Sequence, residues 1–426
     1  MSILDKASLI QIPSGYKSTK LYSLRPSNGD GDFDFSRSSS ATRVNSEGLI
    51  EEMSANVPRL DYSGGASCAS LLLEGQRTNL LIQSTNFSGG WSLDDATKVS
   101  NSTTSPDGTT NAITLIGNTN ASRHNISQVV SASVTASLSV FAKAKELRYL
   151  QIASANTTSQ YVNFDVSDGT IGTVGSSFTD AKIEDYGNGW YRCSVTSTNQ
   201  YNNMYISLVS SLTSSWLESW TMSNNTDGLY LYGAQVEQGD YATSYIPTSG
   251  STVTRTADVC DNAGTSATFN STEGVLFAEI AALADDATDR RISLSDGTLN
   301  NQVIIGYSRF STNIVAEIFS GGVLQNVNWG ATGVTQENNN KFALSWGSGT
   351  TKFYVNGNET NSENATSPTA LNNLSFNTNG TLPFYGKTKQ LMVFDEALSD
   401  EELSDLTGQV NLSFNNLATF YDYTIL

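Results

Sequence analysis

The sequence has few of the residues that build most catalytic and metal sites. It contains one histidine, His124, and three widely spaced cysteines, Cys68, Cys193 and Cys260. Because three is an odd number and the cysteines lie far apart, they indicate neither a disulfide framework nor a metal cluster, and we expect buried thiols. His124 lies in NASRHNIS without a recognisable nucleophile or orienting partner, so the sequence indicates no Ser-His-Asp or Cys-His site.

Long apolar runs and basic residues are scarce as well. No apolar segment approaches the length of about 20 residues that spans a bilayer, and Met1 opens onto SILDKASLIQ without the pattern of a secretory signal. The 23 basic residues are outnumbered by 41 acidic ones, and the net charge of −18 opposes binding to nucleic acid or an anionic membrane surface. We therefore expect a protein that stays in the cytoplasm where it is made until something else releases it.

The residues that are abundant favour strands over helices. Charged residues make up only 15% of the chain, while the bulk is Ser, Thr, Asn and Gly with many aromatics, a mixture that suits short strands and polar turns. At 426 residues the chain also exceeds what one hydrophobic core normally covers. We predict an all-β protein of two tandem β-sandwich (jelly-roll) domains with an extended N-terminal arm.

Local patterns support this division of the chain. Val162, Phe164 and Val166 share one face of a predicted strand, and Asn356-Gly357 has the residue types of a two-residue type I′ hairpin turn. The predicted units are an arm over 1–84, a first jelly roll over 85–246, a linker strap over 247–262, a second jelly roll over 263–410 and a C-terminal tail over 411–426.

One short helix is predicted near the end of the second jelly roll. Ser399 and Glu402 have the spacing of a capping box, and Leu403 and Leu406 form one apolar face. Gly408 sits where a C-cap is expected.

The arm is predicted because residues 1–84 lack the pattern of a compact β domain, in which apolar and polar residues alternate along strands that are separated by turns. Arginines recur between its short extended stretches. The segment is too apolar for a solvated linker, so we expect it to pack on a partner or a neighbouring copy. The residues predicted to take part are Phe33, Phe35, Arg37, Arg43, Arg59 and Arg77.

Four segments resemble a set that recurs in structural proteins of tailed bacteriophages, namely tail-fibre, baseplate and capsid-fibre proteins. They are RSSSATRVNSEGLIEE, VPRLDY, LLLEGQRTNLL and YGAQVEQGDYATSYIPTSGSTVTRTAD, and the resemblance covers about residues 33–85 and 186–258. It implies a virion protein, a first jelly roll similar to carbohydrate-binding modules, and a symmetric homo-oligomer such as a trimer.

Two segments of the second jelly roll resemble the concanavalin-like, laminin-G-like lectin family. They are FYVNGNE and GKTKQLMVFDEALSDEEL, in the later half of that domain. The resemblance implies a lectin-like fold there.

Sugar binding is a natural use of such folds, because aromatic side chains stack on pyranose rings while amides and carboxylates form hydrogen bonds with the sugar hydroxyls. Trp216 and Trp220 lie in the polar segment SSWLESWTMSNN, where they are candidates for an aromatic platform. Core or interface packing is the alternative for both. Trp190, in GNGWYRCSV, is instead predicted to be a core tryptophan.

Metal binding rests on a single acidic loop. Asp285, Asp286 and Asp289 cluster in ADDATDRR and offer oxygen ligands for Ca²⁺, but the EF-hand spacing is absent and Arg290 and Arg291 would partly neutralise the site. We predict no cofactor, with calcium in this loop as the alternative to a solvated acidic loop.

Together these patterns predict a non-enzymatic structural protein of a phage virion that presents lectin-like domains to host cell-surface glycans. The predicted partners are other virion proteins, bound through the arm, and further copies of the chain, assembled in the cytoplasm of the bacterial host. No catalytic residue, nucleic-acid partner or membrane insertion is indicated. Two alternatives stay open: a polysaccharide depolymerase, whose carboxylate pair sequence spacing cannot reveal, and an architectural decoration protein without a ligand.

Overall fold

The structure, a computed structural model, describes residues 3–132, 135–154, 157–197, 201–309, 314–328, 334–347 and 350–408. Strands account for 49% of it and helix for 3%, which confirms the predicted all-β class. No helix within these ranges is both long and apolar enough to span a bilayer. The predicted C-terminal tail, 411–426, lies outside the described residues.

The N-terminal segment contains a 3-10 helix, Ile3–Lys6, followed by nine short strands. They are β1 (Ala7–Gln11), β2 (Tyr16–Lys17), β3 (Lys20–Leu21), β4 (Phe33–Ser36), β5 (Ala41–Val44), β6 (Ile50–Met53), β7 (Arg59–Asp61), β8 (Ser70–Leu73) and β9 (Arg77–Asn79). Only β5 and β6 form a separate hairpin, while the other strands belong to sheets completed by later parts of the chain.

The next twelve strands form the first sandwich. They are β10 (Trp91–Asp94), β11 (Ala96–Thr103), β12 (Ala112–Gly117), β13 (His124–Ala132), β14 (Ala136–Lys143), β15 (Tyr149–Ala153), β16 (Tyr161–Asp165), β17 (Thr170–Val174), β18 (Phe178–Asp185), β19 (Trp190–Ser197), β20 (Tyr201–Leu208) and β21 (Gly228–Gln238). One six-stranded antiparallel sheet has the order β10-β13-β20-β15-β16-β17, and the other β11-β12-β21-β14-β19-β18. Val162, Phe164 and Val166 lie in the core of this sandwich, as their alternation predicts.

The remaining elements build most of the second sandwich. They are β22 (Val253–Arg255), β23 (Val259–Asp261), β24 (Gly274–Ala282), β25 (Arg290–Ser295), β26 (Gln302–Tyr307), β27 (Ile314–Ser320), β28 (Val323–Asn328), β29 (Asn340–Trp346), β30 (Thr350–Val355), β31 (Asn358–Asn364), β32 (Asn373–Ser375), β33 (Gly386–Phe394) and α1 (Asp400–Thr407). A five-stranded sheet, β28-β27-β26-β25-β32, faces a larger one, β31-β30-β29-β24-β33-β8-β7, to which β1 is added along β33.

The predicted turn and helix caps of the second sandwich are confirmed. Asn356 and Gly357 join β30 to β31 with φ angles of 49° and 88°, the left-handed values that a type I′ turn needs. The side chain of Ser399 accepts a hydrogen bond from the backbone N–H of Glu402, the Glu402 side chain accepts one from the N–H of Ser399, and Gly408 is the C-cap.

The structure corrects the docking-arm prediction for the apolar residues of the N-terminal segment. Strand β8 pairs with β33, so that Leu73 lies opposite Gly386, and β4 pairs with β23. This pairing places Phe33, Phe35 and Leu73 in the core of the second sandwich, each at most 2% exposed. Burial of each such side chain contributes about 1.5–3 kcal/mol to stability. The segment that looked like an arm therefore completes a domain of its own chain.

Trp190 occupies a second, smaller core on the first sandwich. It is 2% exposed and packs with Phe141, Tyr232 and Tyr245, while its indole N–H donates to the carbonyl of Thr104 at 3.0 Å. The predicted core role of Trp190 is confirmed.

Candidate functional site

The sheet from β10 to β17 has a polar outer face, opposite the core of the first sandwich. Strand register aligns two rows of outward-pointing side chains across β13, β20, β15 and β16. Successive rows on one face are about 6.7 Å apart, because outward side chains recur every two residues. The first row contains Asn125, Ser207, Gln151 and Asn163, and the second contains Ser127, Tyr205, Ala153 and Tyr161.

A cover loop, residues 209–222, is bound to the first row. The amide of Gln151 donates to the carbonyl of Ser215 at 3.0 Å and accepts from the N–H of Leu217 at 2.7 Å. Asn163 donates to two further carbonyls of the loop, at 3.1 and 2.7 Å. The sheet amides thus hold the loop by its backbone, and the whole first row is inaccessible to solvent.

The second row stays partly open and carries aromatic side chains. Tyr205 and Tyr161 are half-buried and flank Ala153 on neighbouring strands. Two strand spacings separate their backbones by about 10 Å, and Ala153 between them is fully buried. Trp216 of the cover loop reaches this region, because its indole N–H donates to the carbonyl of Ser154 at 2.9 Å. Two half-buried tyrosines therefore flank Ala153, and Trp216 is anchored at the next residue of the same strand end.

Polar groups accompany these rings. The amide of Asn203 donates to the Tyr205 hydroxyl at 3.2 Å, and the guanidinium of Arg123 lies 5.3 Å from the centre of the Trp216 ring. Asn125 is fully buried, and neither of its side-chain polar atoms has a hydrogen-bond partner among the described residues. Asn125 belongs to the covered first row, so its amide does not reach the open surface. The surface therefore combines stacking faces with donors and acceptors.

The two tryptophans predicted for sugar binding have different positions. Trp216 is half-buried at the edge of the aromatic row. Trp220 packs against the sandwich core, contacts His124 edge-on at 5.6 Å between ring centres, and donates its indole N–H to the carbonyl of Leu208 at 3.1 Å. The structure does not bring the two together as a platform, since no ring contact joins them within the described ranges. Trp216 is instead anchored beside the aromatic row, through its hydrogen bond to Ser154, the residue after Ala153.

Four of the predicted arm residues take part in buried or half-buried ion pairs. Arg37 lies 3.0 Å from Asp258, and Arg59 pairs with both Asp258 and Glu74, the latter at 2.5 Å. Arg255 completes the cluster at 2.6 Å from Glu74. The side chains of these five residues are at most 2% exposed, and they link the N-terminal segment to the connection between the sandwiches. We call them the ionic junction.

The other two arginines lie beside the junction. Arg43 is half-buried and pairs with Glu51 at 2.9 Å. Arg77 stacks on Tyr241 at 5.2 Å and lies 3.9 Å from Glu237. The burial of Arg37 and Arg59 corrects their prediction as partner-docking residues, whereas for the half-buried Arg43 and Arg77 that role stays a prediction.

The electrostatics of the ionic junction favour charged carboxylates. Burial alone would raise the pKa of Glu74, but the positive charges of Arg255 and Arg59 and two hydrogen bonds from Ser244 hold that pKa well below its usual range. The Glu74 carboxylate accepts from the Ser244 N–H at 2.8 Å and from its hydroxyl at 2.7 Å. Both carboxylate oxygens of Glu74 thus accept hydrogen bonds inside the protein.

The ionic junction also explains why four separate sequence segments belong together. Arg37 opens RSSSATRV, Arg59 lies in VPRLDY, Glu74 lies in LLLEGQRTNLL, and Arg255 and Asp258 close TVTRTAD. In space these segments meet at one buried cluster. The segment set therefore encodes an architectural joint between the sandwiches.

The acidic loop proposed for calcium engages arginines instead. Asp286 pairs with Arg290 at 2.7 Å, and Asp289 accepts from the backbone N–H of Arg309 at 2.8 Å. Across the described ranges, no group of three His, Cys, Asp or Glu side chains is placed to hold a metal ion. Asp285, the remaining member, has a partner of its own.

The single histidine is held by the main chain. His124 is fully buried, with Nδ1 at 2.8 Å from the carbonyl oxygen of Asp95 and Nε2 at 3.0 Å from that of Trp220. Both ring nitrogens therefore face backbone acceptors and neither faces a hydroxyl or thiol. This geometry gives His124 a structural role.

Comparison with known proteins gives matches only among solved structures. No protein-family model matches the chain, and no curated protein sequence does. The CBM40 module of a Ruminococcus gnavus IT-sialidase aligns at 19% identity and a TM-score of 0.29, over 33% of this chain and 84% of its own. Domain 4 of a GH43 extracellular arabinanase from Geobacillus stearothermophilus aligns at 15% and 0.29, over 40% and 84%. Domains LG4-5 of the mouse laminin α1 chain align at 8% and 0.24, over 77% and 92%. At these TM-scores the matches carry no argument about this chain.

Proposed function

We propose that the chain is a non-enzymatic structural protein of a tailed-phage virion that binds host cell-surface glycans on the outer face of the β10–β17 sheet. The observation that carries the glycan-binding part is the pair of half-buried, outward-facing tyrosines, Tyr161 and Tyr205, with Trp216 anchored beside them at Ser154. The virion part is supported by the resemblance of the four N-terminal and connecting segments to tailed-phage structural proteins.

The chemistry of the outer face suits a saccharide. The apolar faces of a pyranose stack on aromatic rings, and its hydroxyls exchange hydrogen bonds with amides and hydroxyls such as those of Asn203 and Ser127. Tyr161 and Tyr205 are half-buried, so each leaves part of its side chain on the surface for a sugar ring to contact. Single sites of this kind are weak, and several copies in one particle raise the overall affinity without any new contact.

The virion role must use surfaces other than the buried residues of the N-terminal segment. Phe33, Phe35, Arg37 and Arg59 are at most 1% exposed within the chain. Attachment to other virion proteins and assembly into a homo-oligomer, as a trimer, are therefore assigned to the exposed exterior of the sandwiches. Assembly in the host cytoplasm is part of the same proposal.

A printed array of bacterial surface polysaccharides tests the glycan-binding part. We expect the purified chain to bind at least one polysaccharide, and Tyr205→Ala to weaken that binding about tenfold or more, as truncation of a central aromatic contact does. Trp220→Phe is the matched control and should leave binding unchanged, because Trp220 packs on the core.

Two other outcomes of that experiment would contradict the proposal. Signals at background level for every polysaccharide would favour an architectural decoration protein. New reducing ends, released from the bound polysaccharide during incubation, would favour a depolymerase. The virion part is tested by labelling purified particles with an antibody against the chain, and unlabelled particles would refute it.

A further inference from the structure

A groove lies where the N-terminal segment meets the first sandwich. It has a volume of about 630 Å³ and is walled by the β5–β6 turn, the turn after β7 and the β18–β19 turn. Four of its lining residues also line an adjoining cleft of about 390 Å³ that reaches between the two sandwiches. Pockets that bind small ligands typically have volumes of about 300–1,000 Å³. None of the outer-face residues of the β10–β17 sheet contributes to either space.

Two tyrosines from different elements line the groove. Tyr62 follows β7 and is fixed by a 2.9 Å hydrogen bond from its backbone N–H to the carbonyl of Val44. Tyr186 lies in the β18–β19 turn, where its N–H donates to the carbonyl of Trp190 at 2.9 Å and its ring packs edge-on against Phe141. Both rings are half-buried, so each is held in place while part of its surface faces the groove.

Carboxylates supply hydrogen-bond acceptors at the mouth. Glu47, Glu184 and Asp185 are exposed, and no described Lys or Arg nitrogen lies within 4.0 Å of their oxygens. Asp185 accepts from the N–H of Gly187 at 2.7 Å and so shapes its own turn. Carboxylates that are not neutralised accept hydrogen bonds from ligand hydroxyls and repel anionic ligands.

Donors lie at the deep end. Arg192 lines the adjoining cleft, is 4% exposed and has no carboxylate within 4.0 Å among the described residues. Its Nη2 donates to the carbonyl of Thr243 at 2.7 Å and to the Ser139 hydroxyl at 3.0 Å, whereas its Nε has no hydrogen-bond partner in the part of the chain that the structure describes. Burial raises the pKa of Tyr186, so its hydroxyl also stays a donor at neutral pH.

The mouth of the groove is kept open by glycine. Gly64 and Gly65 have φ angles of 75° and 70°, in the left-handed region that favours glycine, and an added Cβ at either would meet nothing within 4 Å. The turn after β7 thus bends sharply without a side chain at its tip.

We propose that this groove is a second saccharide site, which takes a neutral oligosaccharide. Tyr62 and Tyr186 stack on the sugar rings, the carboxylates of Glu47 and Glu184 accept from sugar hydroxyls, and Arg192 donates to a sugar oxygen. The site excludes sugars that carry a carboxylate. The choice of a saccharide as the ligand rests on the proposed function. The site itself does not, because its residues are separate from those of the outer face.

The test measures the binding of neutral oligosaccharides to a variant that lacks the two tyrosines of the outer face. This outer-face variant, with both Tyr161→Ala and Tyr205→Ala, is screened on an array of maltotetraose, cellotetraose and mannotetraose. Tetragalacturonate is the acidic counterpart. We expect one neutral probe to bind and the acidic probe not to bind. In the same background, Tyr62→Ala should weaken titrated binding at least tenfold. Because Tyr62 also packs against the core of the second sandwich, the second variant is Glu184→Gln, which should weaken binding several-fold at an unchanged melting temperature. Glu363→Gln, an exposed acid on β31, is the matched control and should change nothing.

The outcomes separate this site from the outer face. If the wild type binds and the outer-face variant binds none of the neutral probes, the groove proposal fails and the proposed function stands. If the outer-face variant binds as well as the wild type and Tyr62→Ala abolishes that binding, the groove stands whatever the polysaccharide array shows for the outer face. If Tyr62→Ala and Glu184→Gln both bind like their parent, or tetragalacturonate binds in the groove, the proposal is wrong. If the wild type binds no neutral probe, the groove proposal fails, and the outer face is judged separately by the array of bacterial surface polysaccharides.

Discussion

Replacing Glu74 by glutamine removes one negative charge from the ionic junction while keeping the shape of the side chain. Arg255 then has no carboxylate within ion-pair distance among the described residues, because Glu74 is its single ionic partner there. Arg59 keeps Asp258 but loses its other partner. Breaking a fully buried ion pair by removing one partner costs about 3–5 kcal/mol. We expect Glu74→Gln to lower the free energy of unfolding by that amount.

Urea denaturation followed by tryptophan fluorescence and circular dichroism measures the effect. The matched control is Glu51→Gln, which removes a carboxylate from the same N-terminal segment, paired with Arg43 at 2.9 Å but 43% exposed. Exposed pairs of this kind contribute about 0–1 kcal/mol. If Glu74→Gln cost no more than Glu51→Gln, the ionic junction would not hold the sandwiches together as described.

The same residue makes acid stability depend on the junction. Because the pKa of Glu74 is held below its ordinary value of 4.5, its ionised form stabilises the folded state at pH values above that figure. This contribution is lost as the pH falls from 4.5 toward the lower pKa of the folded state. The wild type should therefore lose stability more steeply than Glu74→Gln over that acidic range, and equal slopes would contradict the assignment.

Three further predictions follow from burial and pairing. A fragment of residues 85–246 should fold alone, whereas 263–408 should not, because its core lacks the N-terminal strands; a cooperative unfolding transition of the second fragment would refute this. Under native conditions a thiol reagent should modify Cys68 alone, since Cys193 and Cys260 are buried and burial raises the pKa of both thiols; rapid reaction of more than one thiol per chain would contradict the structure. Calcium titration should give no heat and no rise in melting temperature, because arginines engage the acidic loop before β25, and a saturable heat signal would overturn that expectation.

Local patterns predicted those features that depend on neighbouring residues. The alternation in β16 follows from one buried face, and the left-handed turn at Asn356-Gly357 and the cap at Ser399 follow from the chemistry of single side chains. The pairing of β8 with β33 joins Leu73 to Gly386, and no local pattern encodes a partner so distant. The N-terminal segment therefore looked like an arm.

Buried charge misled the sequence interpretation for the same reason. Arginines are rarely buried unless they are paired, and the carboxylate that pairs with Arg37, Asp258, lies 221 residues further along the chain. For the outer face, the sequence does contain a pattern from which the binding surface could have been predicted. If Val162 and Ile206 point into the core, Tyr161 and Tyr205 must point outward, and two outward aromatic residues on strands of one sheet indicate a binding surface. Trp220 seemed equally suitable because its segment is polar, but its ring turns inward.

The central claim is tested most directly by isothermal titration calorimetry with the polysaccharide that binds best on the array. The polysaccharide is titrated into the wild type and into three variants, Tyr161→Ala, Tyr205→Ala and Trp220→Phe. The account predicts that both tyrosine variants weaken binding about tenfold or more at unchanged melting temperature, and that Trp220→Phe binds like the wild type. Wild-type affinity in both tyrosine variants would contradict it.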